Sequence, residues 1–447
     1  MNGHLRVLSI YEGFFSGGAR MLHSDVLSGL HGRRGQQHSV LSIHAEVRRE
    51  STFQRMHEDA CYRRLVADGL EVLSLERTAD DQSPFAEAEI ALAARLARQA
   101  DIVLTLKEQP LRLVNRAGLR DRPVIACLHR SDPENQGSAL DELLAAAGSG
   151  QLAAAVCCAE STRDAYAEAG IPEHLLHVIP NGVDLRRFKP NRKARAAVRA
   201  AVGIPADAEV VVFAARYDEM KNVPLFLAAA REFIARRPEG HVLMCGAGMS
   251  TANPGLLRDL AAVGLGAADV SDAALATTAG RAGRRAAPRP TAARVHLLGV
   301  RPDPESVFAA ADVVALTSAF GEAAPLCLIE GMLCGAVPVA TDVGDCAAIV
   351  AGHGLITPPE ASGVVEGWLE ALEAGPHFRL AVSRNRYRFG RARMIGAYGT
   401  LIRRTHRRSH TILPSAEIGR PAPAPALGVA QALPAPAGAA VSAAAVP

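Results

Sequence analysis

The chain has 447 residues, 49% of them hydrophobic and 21% charged, with a net charge of +3 and a mean hydropathy of +0.09. So apolar a chain is not a disordered protein, and its length exceeds one ordinary core, so two or three domains are expected. No run approaches the length of uninterrupted apolar sequence that a spanning helix needs, and MNGHLRVLSIYEG reads as a first strand rather than a leader, so a cytoplasmic protein is expected.

In chain order, short apolar runs alternate with longer amphipathic ones. Strands are expected at 6–11, 39–44, 102–106, 124–129 and 154–159, and, after a separating stretch at 180–205, at 210–217, 241–246, 295–300, 313–318 and 337–341. Runs apolar on both faces indicate parallel strands covered by helices on either side. The first such cover is a helix over 19–31, where Leu22, Val26 and Leu30 recur at four-residue spacing. The expected fold class is α/β, with two Rossmann-like domains facing across a cleft, residues 1–183 and 184–375.

Three segments depart from this alternation. Residues 267–293, rich in Ala, Gly, Arg and Pro, read as a mobile insertion in the second domain. Residues 409–447, with repeated Pro-Ala, read as a disordered tail. Between 384 and 408, Tyr387, Met394, Ile395, Tyr398, Leu401 and Ile402 form an apolar stripe among arginines, which must pack on something.

Charge is unevenly spread. Residues 379–408 carry ten arginines and no acid, and 281–294 carry five more, which leaves the rest of the chain near −12 (3 − 10 − 5). The arginines come without nucleic-acid-binding motifs, so no nucleic-acid partner is expected. A weak peripheral contact of the basic 379–408 segment with anionic lipid is compatible with this charge, although domain packing explains its stripe better. Only Lys107, Lys189, Lys193 and Lys221 are lysines. None of the eight cysteines forms a Cys-x-x-Cys pair, so buried free thiols and no metal site are expected.

Five stretches carry candidate chemistry. Ser16-Gly17-Gly18-Ala19-Arg20 follows the first strand and opens a helix, a place where paired glycines let backbone approach a phosphate or simply make a tight turn. In VIACLHRSDPENQG (124–137), His129 ends a strand, as structural and catalytic histidines both do. VIPNGVDLRRF (178–188) is a strand ending in a Pro-Asn-Gly turn. Arg216 and Lys221 leave the strand at 210–217 on the edge where open parallel sheets bind ligands. They either pair with Asp218 and Glu219 or neutralise a diphosphate leaving group in place of a metal.

The last stretch is FGEAAPLCLIEGMLCGAVPVATDVGD (320–345). It puts Glu322 in a loop and Glu330 in the second turn of a helix entered near Pro325. A helical path between them spans about 12 Å, a gap suited to a ligand with a sugar at one end and a ribose at the other. The alternative is a solvated helix face.

Together, GGAR, the strand-end histidine, IPNGVD, the Arg…Lys pair and the two-glutamate stretch resemble glycosyltransferase family 4, over about residues 5–408. That resemblance implies the GT-B fold and a retaining transfer from a nucleotide-diphosphate sugar to an acceptor hydroxyl. It requires no metal and no cofactor beyond that co-substrate. It implies that Gly17 and Gly18 approach the donor diphosphate, His129 lies by the transferred sugar, and Arg216 and Lys221 hold the diphosphate. Glu322 then meets sugar hydroxyls, Glu330 the ribose, and Ala324, Pro325 and Leu326 the phosphates between them. Acceptor contacts fall to first-domain loops through Lys107, Arg130, Asn135 and Asn181. Helices in 376–408 then cross back onto the first domain. Where the family often carries a glutamate, this chain has Ala348. Two other readings are a GT-B nucleotide-sugar 2-epimerase and a non-catalytic sugar-nucleotide binding protein; sugar, base, acceptor and oligomeric state stay open.

Overall fold

The structure is a computed structural model that describes residues 4–412 apart from 16, 34, 50–51, 80, 120–121 and 274–291. Leu5–Tyr11 (β1), Gln36–His44 (β2), Glu46–Arg49 (β3), Thr52–Arg55 (β4), Glu71–Arg77 (β5), Ile102–Leu106 (β6), Val124–Leu128 (β7), Leu152–Cys157 (β8) and Leu176–Val178 (β9) come first. Apart from the antiparallel β3–β4 pair, they form one parallel sheet in the order β5-β2-β1-β6-β7-β8-β9. A second parallel sheet joins Val210–Ala214 (β10), His241–Cys245 (β11), Val270–Asp272 (β12), Val295–Gly299 (β13), Val313–Leu316 (β14), Val337–Thr341 (β15) and Leu355–Thr357 (β16) in the order β12-β13-β11-β10-β14-β15-β16. Every residue of the central strands β6, β7, β11, β13, β14 and β15 is buried, as expected of strands covered on both faces. This is the GT-B architecture.

In each sheet the strand order reverses near the middle, between β1 and β6 and between β10 and β14, and in the second sheet β13 also inserts between β11 and the edge strand β12. Loops leaving the C-terminal ends of the strands on either side of such a reversal part in opposite directions and open a crevice.

Four expectations are corrected here. Residues 270–272 of the expected insertion are strand β12, parallel to β13 and anchored where the Asp272 carboxylate accepts from the Thr251 N–H and hydroxyl. The remainder from 274 to 291 lies outside the described residues, as does the expected tail from 413 onward. Residues 409–412 belong instead to the final helix, Arg391–Ile412. The helix Gly375–Asn385 stays with the second domain rather than crossing over, because Val382 and Phe389 are buried in that domain's core beside Leu333 and Ile349. The crossing is made at Gly390, where Val183 and Gly390 form a parallel bridge. Tyr387 is 79% exposed and leaves the stripe, since it sits in a separate 3-10 turn, Arg386–Phe389.

The rest of the stripe does cross. Met394, Tyr398 and Ile402 are buried among Leu22, Val26, Leu27 and Leu30 of the helix Gly18–Leu30. Glycines permit the close approach: a Cβ on Gly29 would stand 2.6 Å from Ile395, and one on Gly399 2.9 Å from Leu30. Arg391 pins the helix start with ion pairs to Asp25 at 3.0 Å and Asp184 at 2.9 Å. Ile402 is fully buried, so Ile402→Ala should cost about 2–5 kcal/mol in urea unfolding. A loss under about 0.5 kcal/mol would show that the helix does not dock in solution.

Candidate functional site

A cavity of about 470 Å³ lies between the two sheets, walled by loops from the C-terminal ends of β1, β6 and β7 on one side and β10, β11, β13 and β14 on the other. Both reversals of strand order thus open into the same space.

On the first-domain wall, Gly17 and Gly18 line the cavity at the start of the first helix. A Cβ on Gly18 would stand 3.0 Å from Leu326 of the opposite domain, so the glycine brings two helix N-termini together across the cleft. Arg20, two residues on, is buried with its guanidinium 4.1 Å from the Phe15 ring centroid and 5.3 Å from that of Tyr11. Lys107 ends β6 in the left-handed region at φ 69°, a conformation that a side chain pays for with strain and that turns the chain sharply at the cavity edge. Burial, with the Lys107 ammonium nearby, holds His129 down at about 3, so its ring is neutral, and its Nε2 is enclosed without a hydrogen-bond partner among the described residues. Arg130 is held by Asp132 through Nε at 2.6 Å.

On the second-domain wall, Arg216 donates to Asp218 at 2.8 Å, one of the two pairings open from sequence. Lys221 pairs across 101 residues with Glu322 rather than with Glu219, and Ser318 Oγ donates to the same Glu322 oxygen at 2.6 Å. Glu322 is 6% exposed, so the ammonium offsets a carboxylate taken almost wholly out of water. Pro325 is the cap of the helix Leu326–Cys334 rather than its first residue, and Ala324, Pro325 and Leu326 line the cavity with the free N–H groups of that helix directed to it.

Glu330 lies in the second turn and is 8% exposed. Burial pushes its carboxyl up to about 8, Arg187 opposing and Glu305 adding to the rise. The sign follows by linkage: between its ordinary 4.5 and about 8 the folded chain holds a proton that the unfolded chain has released, so folding is favoured below this window and loses stability as pH rises through it. The neutral, near-isosteric Glu330→Gln should therefore lose less stability than wild type between pH 5 and pH 8. Urea midpoints of the two proteins at both pH values check this, and parallel pH dependences would refute it.

Asn181 lines the cavity and donates across it to Ala324 O at 3.1 Å. Asn135 does not belong to the wall: it is exposed in the turn Pro133–Gln136, where Asp132 and Glu134 hold its amide. Sequence reasoning missed Arg301 after β13, which lines the cavity and pairs with Asp303 at 2.9 Å, and the wall role of Arg20. For Arg301 the available signal was its position just past a strand's C-terminal end; for Arg20 it was the first turn of the helix that follows the paired glycines. Among the described residues no three His, Cys, Asp or Glu side chains are grouped to hold a metal ion, and all eight cysteines are free.

A family model described as "Glycosyltransferase Family 4" matches residues 22–187, and one described as "Glycosyl transferases group 1" matches 194–388. A D-inositol 3-phosphate glycosyltransferase of Saccharomonospora viridis is 34% identical over 224 residues, 48% of this chain and 45% of that protein. One of Mycobacteroides abscessus is 33% identical over 201 residues, 44% of this chain and 38% of the relative. The matches thus span less than half the length of these relatives. In structure, Anabaena HepE in complex with UDP-glucose superposes with a TM-score of 0.68 at 19% identity, covering 90% of this chain and 100% of that one. A sucrose-phosphate synthase of Thermosynechococcus elongatus reaches 0.63 at 17% identity, over 90% and 99%. These last two likenesses carry the fold.

Proposed function

The chain belongs to the family 4 glycosyltransferases of GT-B fold, and on that premise we propose that it moves a sugar, with retention of configuration, from a nucleotide-diphosphate donor to an acceptor hydroxyl. The observation that carries this reading is the convergence of Arg216, Lys221, Glu322 and Glu330 with a helix N-terminus on one cavity. The diphosphate lies against the N–H groups of Ala324 and Leu326, Pro325 having none to give, and the cations Arg216 and Lys221. Lysine has three N–H donors, so Lys221 holds Glu322 and still donates to a phosphate oxygen. Glu322 meets the sugar hydroxyls, and neutral Glu330 offers the ribose both a donor and an acceptor.

In the transfer, the acceptor oxygen attacks the anomeric carbon on the face from which the phosphate leaves. The bond from that carbon to the phosphate oxygen breaks, and the acceptor proton passes to the departing phosphate. The neutral His129 ring accepts or donates one hydrogen bond to the sugar and carries no charge of its own. No enzyme nucleophile and no metal is needed for this balance of atoms.

The first-domain wall supports an anionic acceptor. Arg20, Lys107 and Arg130 line it, and no carboxylate does among its described residues. The curated relatives are named for a phosphorylated acceptor, D-inositol 3-phosphate. Any membrane contact in this proposal is peripheral, since no described helix is long and apolar enough to cross a bilayer.

The test is a thermal-shift panel of UDP, GDP and ADP, because a ligand that binds only the native state raises its melting temperature. It is followed by product analysis with the matching sugar donor in EDTA. Acceptor-dependent release of the nucleoside diphosphate supports the proposal; an epimerised donor formed without acceptor would instead identify a 2-epimerase, and no shift with any nucleotide would overturn the donor site.

A further inference from the structure

Three consecutive backbone carbonyls in the loop that carries Glu322 are each tied down from outside it. Ser131 Oγ donates to Glu322 O, the Asp345 N–H donates to Ala323 O at 2.8 Å, and Asn181 Nδ2 donates to Ala324 O at 3.1 Å. Ser131 and Asn181 come from the first domain. Asp345 belongs to the second, just past β15, but its side chain reaches the other way. Its Oδ2 accepts from the Glu160 N–H and its Oδ1 from the Ser161 N–H, both at 2.9 Å.

Those two amides open the first-domain helix Glu160–Glu168, whose own cap position is Ala159 and whose first turn has no side-chain cap within its own segment. A helix N-terminus presents unpaired N–H groups and the positive end of its dipole, so a carboxylate is the group best suited to it. Here the carboxylate comes from across the cleft and takes both amides at once, which fixes direction as well as distance. Beside this contact Cys158, Ala159 and Ala323 are buried together, so the bonds lie at the margin of a dry interdomain seam, where electrostatic interactions are stronger than in water.

We propose that Asp345 is a positioning residue that latches the two domains closed and, through its backbone bond to Ala323, ties closure to the placement of Glu322. The inference rests on the reading of the Glu322 loop as the donor site. When the latch is made, one residue holds a first-domain helix and the donor loop together. When the domains part, the helix loses its cap and the loop loses its Ser131 and Asn181 tethers in the same step. Closure and donor placement are therefore one event.

The test compares wild type, Asp345→Ala, and Asp345→Ala with Ala159→Ser, the last giving the helix a cap of its own. Three quantities are read: the small-angle X-ray radius of gyration without ligand, amide exchange of a peptide covering 159–168, and affinity for UDP with the kinetic constants of the donor. Asp345→Ala is expected to enlarge the radius of gyration, speed exchange at 160 and 161, and weaken UDP roughly tenfold, the scale of one charge-assisted bond. Ala159→Ser is expected to restore slow exchange but neither compactness nor affinity. If it restores all of them, Asp345 is a helix cap only and the latch is wrong; unchanged radius and affinity in Asp345→Ala overturn it equally. Should UDP bind neither protein, the donor reading fails for this nucleotide while the ligand-free radius of gyration still decides the latch.

Discussion

Lys221→Ala is expected to lower kcat/KM by about 30- to 1000-fold, the range that follows from losing about 2–4 kcal/mol of transition-state stabilisation with one preorganised donor. Two effects act together. The leaving phosphate gains negative charge as the anomeric bond breaks, and an ammonium that is largely buried and already fixed by Glu322 stabilises that charge without having to reorganise. The same ammonium balances Glu322, whose carboxylate would otherwise sit buried with Ser318 Oγ as its one remaining partner among the described residues. Removing one member of a buried pair leaves the other uncompensated, which is costlier than removing both. Glu322→Gln in the Lys221→Ala background should accordingly be far less harmful than the sum of the single changes. Steady-state kinetics on the two singles and the double, with circular dichroism to show that each folds, measure this. A Lys221→Ala enzyme within about threefold of wild type would remove the residue from the reaction.

Gly344→Ala should be comparably damaging to activity, from a position that touches no substrate. Gly344 sits at φ 59°, and a Cβ there would lie 2.2 Å from the carbonyl oxygen of Glu322 and 2.7 Å from its carbonyl carbon. The left-handed conformation alone costs a non-glycine residue about 1–2 kcal/mol. The larger effect is the clash, because the obstructing atoms are backbone and cannot turn aside as a side-chain tip does. The loop at 342–345 must therefore lift from the Glu322 loop, taking the Asp345 N–H away from Ala323 O. Gly352→Ala is the control: φ is 70°, but nothing lies within 4 Å of its added Cβ, so it should cost only the conformational strain and leave kcat/KM near wild type. Equal loss of activity in the two variants would show that strain rather than collision with the donor loop is responsible.

Much of the fold was legible in the chain, for a physical reason. The strands at 102–106 and 337–341 appear with the bounds expected, because a central parallel strand is buried on both faces and must be written as an unbroken apolar run. The edge strand expected before the Pro-Asn-Gly turn appears as Leu176–Val178, shifted two residues earlier. Other edge strands were missed: Glu71–Arg77 is half-buried with charges at both ends, and Val270–Asp272 and Leu355–Thr357 are three-residue edges; none needs an apolar run to form. Only the neighbour they pair with defines them.

The candidate site divides in the same way. Strand–loop–helix alternation is local, so it placed Arg216, Lys221, Glu322 and Glu330 past the ends of buried strands from sequence spacing alone. Which of them pair is not local. Lys221 prefers Glu322, 101 residues away, to its neighbour Glu219 because the two loops descend into one buried cleft, where each charge needs the other. Asn135 was set in the acceptor wall by its nearness to Arg130, but a 3-10 turn carries it to the surface. Tyr387 was set in the stripe by its spacing, but a separate turn interrupts the helical phase before the last helix begins. Asp345 carried no local sign of a role, since the amides that it caps belong to a helix 184 residues earlier in the chain. Burial periodicity is written into neighbouring residues, whereas a charge or a cap finds its partner only after the two sheets have brought distant loops to the same cleft.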